Sequence, residues 1–419
     1  MQAELLVIGA GAAGLMAAGT AGEMAVETVL LERNDRPARK VMITGKGRCN
    51  VTNACDSLNE LIANVPVNGR FLYSAFSRFM PSDTVDFFES RSVMLKKERG
   101  NRVFPVSDKA VDIVDALHNF AVDNGAEIVK GRAVELIIEN GEVKGAVTDE
   151  GERIYAKAVI VACGGKSYPQ TGSTGDGYTL ARMAGHNIVP IKPSLVPLEA
   201  HEGFCTDLQG LSLRNVAIKV VDTKTQKEIY KDFGEMLFTH YGVSGPMILS
   251  ASSHMREMER GRYKILIDLK PGLTHEQLDA RVLRDFAENV NRNFINSLNA
   301  LLPKKLVPVV VRLCKVPIST KVNQITKEQR QTLVNLLKNF TVTVTDFRPV
   351  EEAIITSGGV DVTQINPKTM ESKLVKGLYF AGEVIDADAY TGGFNLQIAF
   401  STGRLAGESA AQGIIDKGE

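Results

Sequence analysis

The sequence predicts an α/β protein in which one parallel-sheet domain is interrupted by a long insertion. Three observations lead to this prediction. An apolar run at 4–10, an Ala-rich helix pattern and a second apolar run at 27–32 form the pattern of a βαβ unit. Strand patterns that end in glycine recur at 157–165 and, close to the C-terminus, at 377–384. Between these last two runs, residues 191–344 alternate short strand patterns with helical ones.

The domain boundaries follow from these changes of pattern. The sheet domain is assigned to residues 1–190 and, as its second part, to 345–419. The insertion is assigned a β-rich domain at 191–272 and 315–344, which carries a helical insertion at 273–314. Three prolines between 190 and 197 indicate the first linker.

Local signals support individual elements inside these domains. The pair Asn140-Gly141 separates two strand patterns and predicts the tight turn of an antiparallel meander. In the insertion, Thr274 and Thr326 each stand three residues before a glutamine, which is the spacing of a helix capping box.

Composition excludes several classes of protein. Lys plus Arg equals Asp plus Glu, 49 each, so we expect no nucleic-acid partner. The five cysteines are odd in number and scattered, which argues against a disulfide framework and against a metal site. No apolar run approaches the roughly 20 residues that span a bilayer, so we expect no membrane contact. A cytoplasmic protein is the default expectation.

The motif GAGAAG begins the first helix pattern and has the spacing of a dinucleotide-binding loop. Gly9 allows the tight turn, Gly11 lets a pyrophosphate approach, and Gly14 lets the helix pack on the strand. The N–H groups at Ala12 and Ala13 begin the helix, whose positive dipole end favours phosphate. Glu32 ends the second strand and is predicted to accept hydrogen bonds from a ribose.

Either NAD or FAD fits this loop, and three features favour FAD. The sheet has a very long crossover, only one such glycine fingerprint exists, and a second Gly-Gly helix start follows the last strand. The N-terminus of that helix is suited to stabilise negative charge on a reduced flavin. The residues assigned to the cofactor in this region are Gly382, Glu383, Asp386, Gly393, Phe394, Asn395 and Leu396.

Five motifs resemble one family of flavoproteins. They are GAGAAG at 9–14, LLERNDRPARKVMITGKGRCNVTN at 30–53, TGSTGDGY at 171–178, LFTHYGVSGP at 237–246 and AGEVIDADAYTGGFNLQIAFSTG at 381–403. The chain resembles the BaiN-like or YhiN-like FAD-binding family, also labelled aminoacetone oxidase-like. The resemblance implies an FAD-binding Rossmann-like domain with an inserted β-barrel and a small helical domain.

The resemblance also assigns residues to the cofactor. Arg33 and Lys40 would flank the adenosine or the pyrophosphate, and Val134 would offer its backbone to the adenine. A loop at 45–50 would lie along the flavin. The loop residues concerned are Gly45, Gly47, Arg48, Cys49 and Asn50, and the strand end near 162 contributes Ala162 and Gly164. Cys163 departs from the family pattern, in which we expect Thr.

Two positions are candidates for catalysis. Tyr390 lies just before the Gly-Gly turn, and His240 lies in a polar pair with Tyr241, so each is a candidate to donate a proton to substrate. Packing at a domain interface is the other interpretation of His240. Cys49 has neighbouring cations, but it has no second cysteine at CxxC spacing, so a small apolar role beneath the flavin is favoured over dithiol chemistry.

The expected activity is that of an FAD-dependent oxidoreductase with a small-molecule substrate. The resemblance points to reduction of an activated C=C bond in a steroid or bile-acid-like enone, with NADH or NADPH as a transient electron donor. A flavin oxidase of a small amine or aminoketone such as aminoacetone is the alternative. A nucleic-acid-associated flavoprotein is the third, since LLPKKLVPVVVRLCK carries several cations.

Overall fold

The computed structural model describes residues 1–418 and contains the βαβ unit that the sequence predicts. The strands, in chain order, are β1 (Leu5–Ile8), β2 (Thr28–Glu32), β3 (Thr52–Asn53), β4 (Leu95–Lys97), β5 (Arg102–Pro105), β6 (Glu127–Lys130), β7 (Ala133–Glu139), β8 (Glu142–Thr148), β9 (Arg153–Tyr155), β10 (Ala158–Val161), β11 (Ile188–Ser194), β12 (Leu198–Ala200), β13 (Ser212–Asp222), β14 (Lys227–Phe238), β15 (Gly242–Ser244), β16 (Tyr263–Asp268), β17 (Phe340–Phe347), β18 (Ile355–Val360) and β19 (Leu378–Phe380).

The helices are named in the same way. They are α1 (Ala12–Glu23), α2 (Arg39–Ile43), α3 (Leu58–Ala63), α4 (Tyr73–Arg78), α5 (Pro81–Glu89), α6 (Ala110–Asp123), α7 (Asp176–Met183), α8 (Phe204–Asp207), α9 (Pro246–Ser252), α10 (His275–Ala287), α11 (Phe294–Ser297), α12 (Val307–Leu313), α13 (Lys327–Lys338) and α14 (Phe394–Gly418). None of them, within residues 1–418, is long and apolar enough to cross a membrane.

The chain divides into two compact units. The first contains residues 1–194 together with the chain from Val350 onward, and the second is Leu195–Pro349. The first unit is built on a parallel sheet of order β19-β10-β1-β2-β6. Strands β1, β2 and β10 are buried along their whole length, as expected for a parallel sheet covered on both faces. The α/β class and the interrupted sheet are therefore confirmed.

Small residues let two helices approach one another on this sheet. A Cβ on Gly403 of α14 would lie 2.4 Å from the carbonyl oxygen of Ala13 in α1, and one on Gly407 would lie 2.4 Å from that of Ala17. Only glycine fits at these contacts. The N-terminal and C-terminal helices of the chain therefore pack backbone to backbone, which joins the two sequence segments of the first unit.

Antiparallel strands complete the first unit. β7, β8 and β9 form the predicted meander, and Asn140 and Gly141 take the positive φ values of 51° and 78° that its tight turn requires. β3, β5 and β4 form a second small sheet, and β11 pairs with β18.

The second unit is a closed six-stranded barrel with a helical part. The barrel order is β12-β15-β14-β13-β16-β17. Thr274 and Thr326 cap α10 and α13 through the predicted capping boxes. Within the range 315–344, which the sequence assigns to the β-rich domain, the 12-residue helix α13 precedes β17.

Candidate active site

The glycine loop after β1 has the geometry that its motif predicts. Gly9 has a φ of 103°, and a Cβ at this position would lie 2.8 Å from the carbonyl oxygen of Ala162. A Cβ on Gly14 would lie 1.8 Å from the carbonyl oxygen of Gly9, so only glycine allows α1 to pack this closely. A Cβ on Gly11 would meet no atom within 4 Å. The loop thus leaves open space in front of the N-terminus of α1, where Ala12 begins the helix.

Glu32 at the end of β2 is buried and fixes this loop. Its Oε2 accepts a hydrogen bond from the Ala10 backbone N–H at 2.8 Å. Its Oε1 accepts from the backbone and the side-chain nitrogens of Asn34, at 2.8 and 2.6 Å. A carboxylate offers about four acceptor sites, so capacity remains for ribose hydroxyls.

The loop that contains GKGRCN follows α2 and turns through left-handed backbone conformations. Gly45, Lys46, Gly47 and Cys49 have φ values between 56° and 82°. A Cβ on Gly47 would meet no atom within 4 Å. The backbone is therefore curled tightly, with open space on one side.

Two neighbouring residues of this loop differ in environment: Cys49 is buried, whereas Arg48 is paired with acidic side chains. Cys49 is completely buried, and burial raises the pKa of its thiol to about 12, so the neighbouring cations do not activate it. The Arg48 guanidinium bonds to Glu98 and Asp108, both at 2.5 Å, and lies 4.2 Å from the centre of the Phe104 ring. The small apolar role expected of Cys49 agrees with its burial.

Asn50 supplies an unsatisfied polar atom at the same place. Its side-chain Oδ1 is buried and has no hydrogen-bond partner among residues 1–418. Buried polar atoms without a protein partner are rare in folded proteins, and a ligand or an ordered water commonly satisfies them. A bound group with a hydrogen-bond donor, such as a flavin ring N–H, would satisfy this oxygen.

The loop lies directly against the start of α14. A Cβ on Gly393 would lie 2.3 Å from the carbonyl carbon and oxygen of Thr52. Asn53 Nδ2 donates to the Gly392 carbonyl at 3.1 Å, and Thr52 Oγ1 donates to Gln397 Oε1 at 2.6 Å. Two segments more than 300 residues apart in the sequence therefore form one surface.

Lys40 and Glu383 form the centre of a polar cluster. Lys40 Nζ donates to both Glu383 oxygens, at 2.9 and 2.6 Å, and to Ser167 Oγ at 2.6 Å. Glu383 Oε1 also accepts from the backbone N–H of Thr356 at 2.8 Å. Thr356 Oγ1 in turn accepts from the backbone N–H groups of Lys166 and Ser167. The cluster joins α2, the chain after β10, β18 and the turn after β19.

Arg33 follows Glu32 and points to the 171–178 motif. Its Nη1 donates to Thr174 Oγ1 at 2.7 Å and to Asp176 Oδ2 at 3.0 Å. Arg132 makes a second, bidentate pair with Asp176 at 2.8 Å. Both guanidiniums lower the pKa of this half-buried carboxyl, although burial opposes them. Arg33 is thus an anchor of this motif, and its contact with a nucleotide stays a prediction.

Other assigned residues lie at the ends of the strands. Ala162 follows β10, its N–H bonds to the Ile8 carbonyl, and Gly164 beyond it has a φ of 73°. Gly382 follows β19, and a Cβ on it would lie 2.8 Å from that of Ala13. Val134 lies at a register shift between β7 and β8, away from regular pairing.

Asp386 and Asn395 support the turn before α14. Asn68 Nδ2 donates to the Asp386 carboxylate at 2.9 Å, and burial raises the pKa of this carboxyl. The Asn395 side chain accepts from the Ala389 N–H and donates to the Ala389 carbonyl, both at 2.9 Å. Of its neighbours in α14, Phe394 is buried and Leu396 is partly buried.

The two catalytic candidates belong to different units. Tyr390 is partly exposed and lies two residues before Gly392 in the first unit, where its N–H bonds to the Asn64 carbonyl at 3.0 Å. His240 is exposed on the turn between β14 and β15 in the second unit, with its ring 4.9 Å from that of Tyr241. Tyr390 is therefore the candidate that shares a unit with the loop and α14.

Sequence reasoning missed Ser167, Thr356, Gln397 and Asn68. Each is a single polar residue within a strand, loop or helix, and no motif distinguishes it. Gln397 is completely buried, and its amide bonds to Thr52, Thr84, Ser401 and the Phe79 carbonyl. Of these four missed residues, only Gln397 could have been noticed in the sequence, because it is a polar residue on the buried side of an apolar helix.

The open cradle at Gly11 and the unpaired Asn50 oxygen fit a dinucleotide that ends in a flavin. In residues 1–418 no group of three or more His, Cys, Asp and Glu side chains is arranged to hold a metal ion. All five cysteines are free thiols. The class of protein follows from three features of the parallel sheet: the dinucleotide-binding loop after β1, the acid Glu32 at the end of β2, and the N-terminus of α14 after the last strand. Together they define a flavin-dependent oxidoreductase.

The chain belongs to the HI0933-like family: the family model of the HI0933-like protein Rossmann domain matches residues 3–409. This confirms the resemblance drawn from the motifs. The chain is 30% identical over 97% of its length to the 3-dehydro-bile acid delta(4,6)-reductase of Clostridium scindens, covering 98% of that protein. It is 31% identical over 95% of its length to the ribosomal RNA dihydrouridine synthase of Escherichia coli, covering 96%.

A solved structure with the same fold is the 3-ketosteroid-delta4-(5alpha)-dehydrogenase of Rhodococcus jostii RHA1. The TM-score is 0.57 at 14% identity, with 98% of this chain and 97% of that chain covered. The protein is an FAD-dependent oxidoreductase. Because one relative is named for ribosomal RNA, the expectation that no nucleic acid binds stays untested.

Proposed function

We propose that this protein reduces a carbon–carbon double bond conjugated to a carbonyl group. The observation that carries the proposal is that two relatives aligned over nearly the whole chain are named for reductions of this kind. A bile-acid delta(4,6)-reductase and a dihydrouridine synthase both add hydrogen to a C=C bond, and in a 3-oxo steroid or a uracil ring that bond is conjugated to a carbonyl.

The residues of the first unit have separate tasks in this proposal. Gly11 and the N-terminus of α1 hold the pyrophosphate, and Glu32 binds the adenosine ribose. The curled loop up to Asn50 and the cluster around Lys40 and Glu383 hold the flavin and its ribityl chain. When bound, FAD supplies a hydride from N5, taken in turn from NADH or NADPH.

Two further features of the chain complete the reaction. The N–H groups at the start of α14 favour negative charge in their vicinity, because the dipole of this 25-residue helix has its positive end there. We assign to Tyr390, which precedes this helix start in the chain, the donation of a proton to the substrate carbon that becomes carbanionic. His240 is the second candidate for this proton.

The first candidate substrate is a hydrophobic small molecule, a steroid or bile-acid-like enone. The second is a uridine in RNA, which the name of the relative from Escherichia coli favours. Oxidation of an aminoketone such as aminoacetone by oxygen is the competing activity.

The test is anaerobic reduction of the purified protein with NADH or NADPH, followed by rapid mixing with candidate acceptors. The flavin absorbance is predicted to return within seconds on mixing with a 3-oxo-Δ4 steroid, a bile-acid enone or a uridine-containing ribosomal RNA fragment. Return of the absorbance with oxygen alone, together with oxygen consumption driven by aminoacetone, would establish the oxidase instead. If the purified protein takes up no FAD, both the reductase and the oxidase hypothesis are excluded.

A further inference from the structure

The two units carry opposite net charge, although the whole chain is neutral. Residues 195–349 contain 22 Lys and Arg against 16 Asp and Glu, a net charge of +6. The remainder has 27 against 33, a net charge of −6. A strong charge asymmetry between parts of a chain is a signature of nucleic-acid or membrane binding. The neutral total therefore gives no ground for excluding a polyanionic partner.

The positive charge is concentrated in one stretch of the second unit. Residues 291–327, called here the basic segment, contain seven cations and no Asp or Glu. All seven side chains are exposed: Arg292, Lys304, Lys305, Arg312, Lys315, Lys321 and Lys327.

Backbone hydrogen bonds bring one group of these cations together. The N–H of Phe294 bonds to the Thr320 carbonyl at 2.8 Å, and that of Val322 bonds to the Arg292 carbonyl at 3.0 Å. Arg292 and Lys321 therefore stand on adjacent, paired stretches of backbone. Lys327 follows one short turn later, at the start of α13.

A second group flanks the short helix α12. Val307, Val309, Val310 and Val311 of this helix are buried. Lys304 and Lys305 precede it, separated from it by Leu306, Arg312 lies in its last turn, and Lys315 follows it. A helix of this length spans about 10 Å, or about three phosphate steps of about 3.4 Å along one strand, so cations at its two ends can reach separate phosphates.

Most of these cations have no acidic partner. Arg312 pairs with Asp207 at 2.7 Å, and Lys305 bonds to the Gln209 carbonyl. The other five make no ion pair with any residue from 1 to 418. In the rest of the second unit, eight of the 15 cations make an ion pair, as Arg330 does with Asp279 at 2.8 Å. Unpaired like charges repel one another, and a bound polyanion relieves that repulsion.

We propose that the basic segment binds the phosphate backbone of folded RNA. Proteins that bind single strands stack bases on exposed aromatic rings, but the one aromatic residue in the segment, Phe294, is buried. Contact with phosphates therefore dominates, as it does on double-stranded stems. Exposed amides between the cations can bond ribose 2′-hydroxyls, which distinguishes RNA from DNA. These amides belong to Asn291, Asn293, Asn296, Asn299 and Asn323.

Binding at this surface bears on the second candidate substrate, a uridine in RNA, and it is measured separately from the reduction. The basic segment lies wholly in the second unit, whereas the flavin-site residues assigned above lie in the first. The oxidised protein with its FAD is therefore the correct material, and no turnover is required. Failure of RNA binding leaves the enone reaction standing, and failure of the reduction leaves RNA binding standing.

The experiment measures the anisotropy of a labelled RNA hairpin with a stem of about 16 base pairs, the length that duplex RNA binders cover. Five phosphate contacts predict that the logarithm of the association constant falls with the logarithm of salt concentration with a slope of about −4. The variant Lys304→Glu, Lys315→Glu, Lys321→Glu is expected to lower the association constant at least about tenfold and the slope by about three.

The matched control is Lys227→Glu, Lys231→Glu, Lys264→Glu, which reverses three exposed charges on β14 and β16 and is expected to bind within about twofold of the native protein. FAD content and circular dichroism report folding, and the same three basic-segment lysines changed to Ala give a milder second variant. Equal loss in both charge-reversal variants, equal affinity for a DNA duplex, or binding only to anionic lipid vesicles would each overturn the proposal.

Discussion

Lys40 Nζ lies 2.6 Å from Glu383 Oε2, although 343 residues separate the two in the sequence. Lys40 belongs to α2, beside the glycine loop, and Glu383 follows the last strand of the sheet. Both side chains are about one-fifth exposed. This pair joins the first and last sequence segments of the first unit at the place where the flavin chain is proposed to lie.

Removing either member of this pair is predicted to destabilise the fold and weaken FAD binding. Lys40→Met leaves the Glu383 carboxylate without its charged partner, at a cost of about 1–2 kcal/mol in the free energy of unfolding. Glu383→Gln is expected to cost a similar amount, and the double variant less than the sum of the two. Denaturant unfolding and FAD titration measure both effects.

The control for this cycle is the exposed pair of Lys157 and Glu4. Its nitrogen and oxygen are 2.8 Å apart, but the lysine is 52% exposed. Lys157→Met is expected to cost less than about 1 kcal/mol and to leave FAD affinity unchanged. Strictly additive effects at Lys40 and Glu383 would show that the two charges do not act together.

Gly393→Val is predicted to abolish FAD binding. The new Cβ would lie 2.3 Å from the Thr52 carbonyl group, so the loop up to Asn53 must move away from α14. Flavin absorbance per mole of purified protein is the measurement. Gly413→Ala is the control, because its Cβ has one contact, at an ordinary 3.4 Å from the Tyr379 hydroxyl. If Gly393→Val keeps its full flavin content, the loop up to Asn53 does not form part of the FAD site, which would contradict this prediction.

Tyr390→Phe is predicted to lower turnover about 100-fold while FAD content stays unchanged. The variant removes only the phenolic oxygen, and a positioned general acid contributes about this factor or more. Steady-state reduction of the substrate measures the loss. Tyr73→Phe, at a tyrosine that is 56% exposed, is the matched control. If Tyr390→Phe keeps native turnover and His240→Asn loses it, the role of proton donor would be assigned to His240 instead.

Stability is predicted to fall between about pH 6.5 and pH 4 because of His186. Burial lowers the pKa of this imidazole to about 4, against the weaker effect of Asp361. In that range the unfolded state binds more protons than the folded state, so acid favours unfolding. The neutral ring is bonded to Ser372 Oγ at 2.8 Å through Nε2.

His186→Gln is expected to remove on the order of 2 kcal/mol of this pH dependence. Denaturant unfolding at a series of pH values is the measurement, with His118→Gln as the control because the hydrogen bond of His118 lies at the surface. His254 is shifted by burial in the same direction, so some dependence remains in the variant. Parallel pH curves for His186→Gln and the native protein would contradict the assignment.

Much of the first unit could be predicted because its signals are local. The fully buried strands are recognisable in the sequence as apolar runs. The glycines of the loop are recognisable because close contacts at Gly9 and Gly14 exclude any other residue. Glu32 was placed at the end of its strand by spacing alone. The proximity of the GKGRCN loop to α14 came from the family motifs, since no local pattern joins Thr52 to Gly393.

The remainder depends on contacts that sequence patterns do not contain. Ser167 and Thr356 are ordinary polar residues until the fold places them around Glu383. The position of Arg48 along the flavin stays a prediction; its guanidinium bonds to Glu98 and Asp108, and neither acid is near it in the sequence. The charge of the second unit was hidden because an equal and opposite excess in the first unit cancels it.

A single-turnover experiment tests the central claim most directly. The protein is reduced anaerobically in D₂O, freed of excess donor and mixed with one equivalent of a 3-oxo-Δ4 bile acid or of ribosomal RNA, and the product is examined by mass spectrometry. The account predicts a saturated product that carries two added deuterium atoms, because the N5–H of the reduced flavin exchanges with D₂O before mixing, and the flavin oxidised in the same step. Unchanged substrate of both kinds, with flavin that stays reduced until oxygen is admitted, would contradict it.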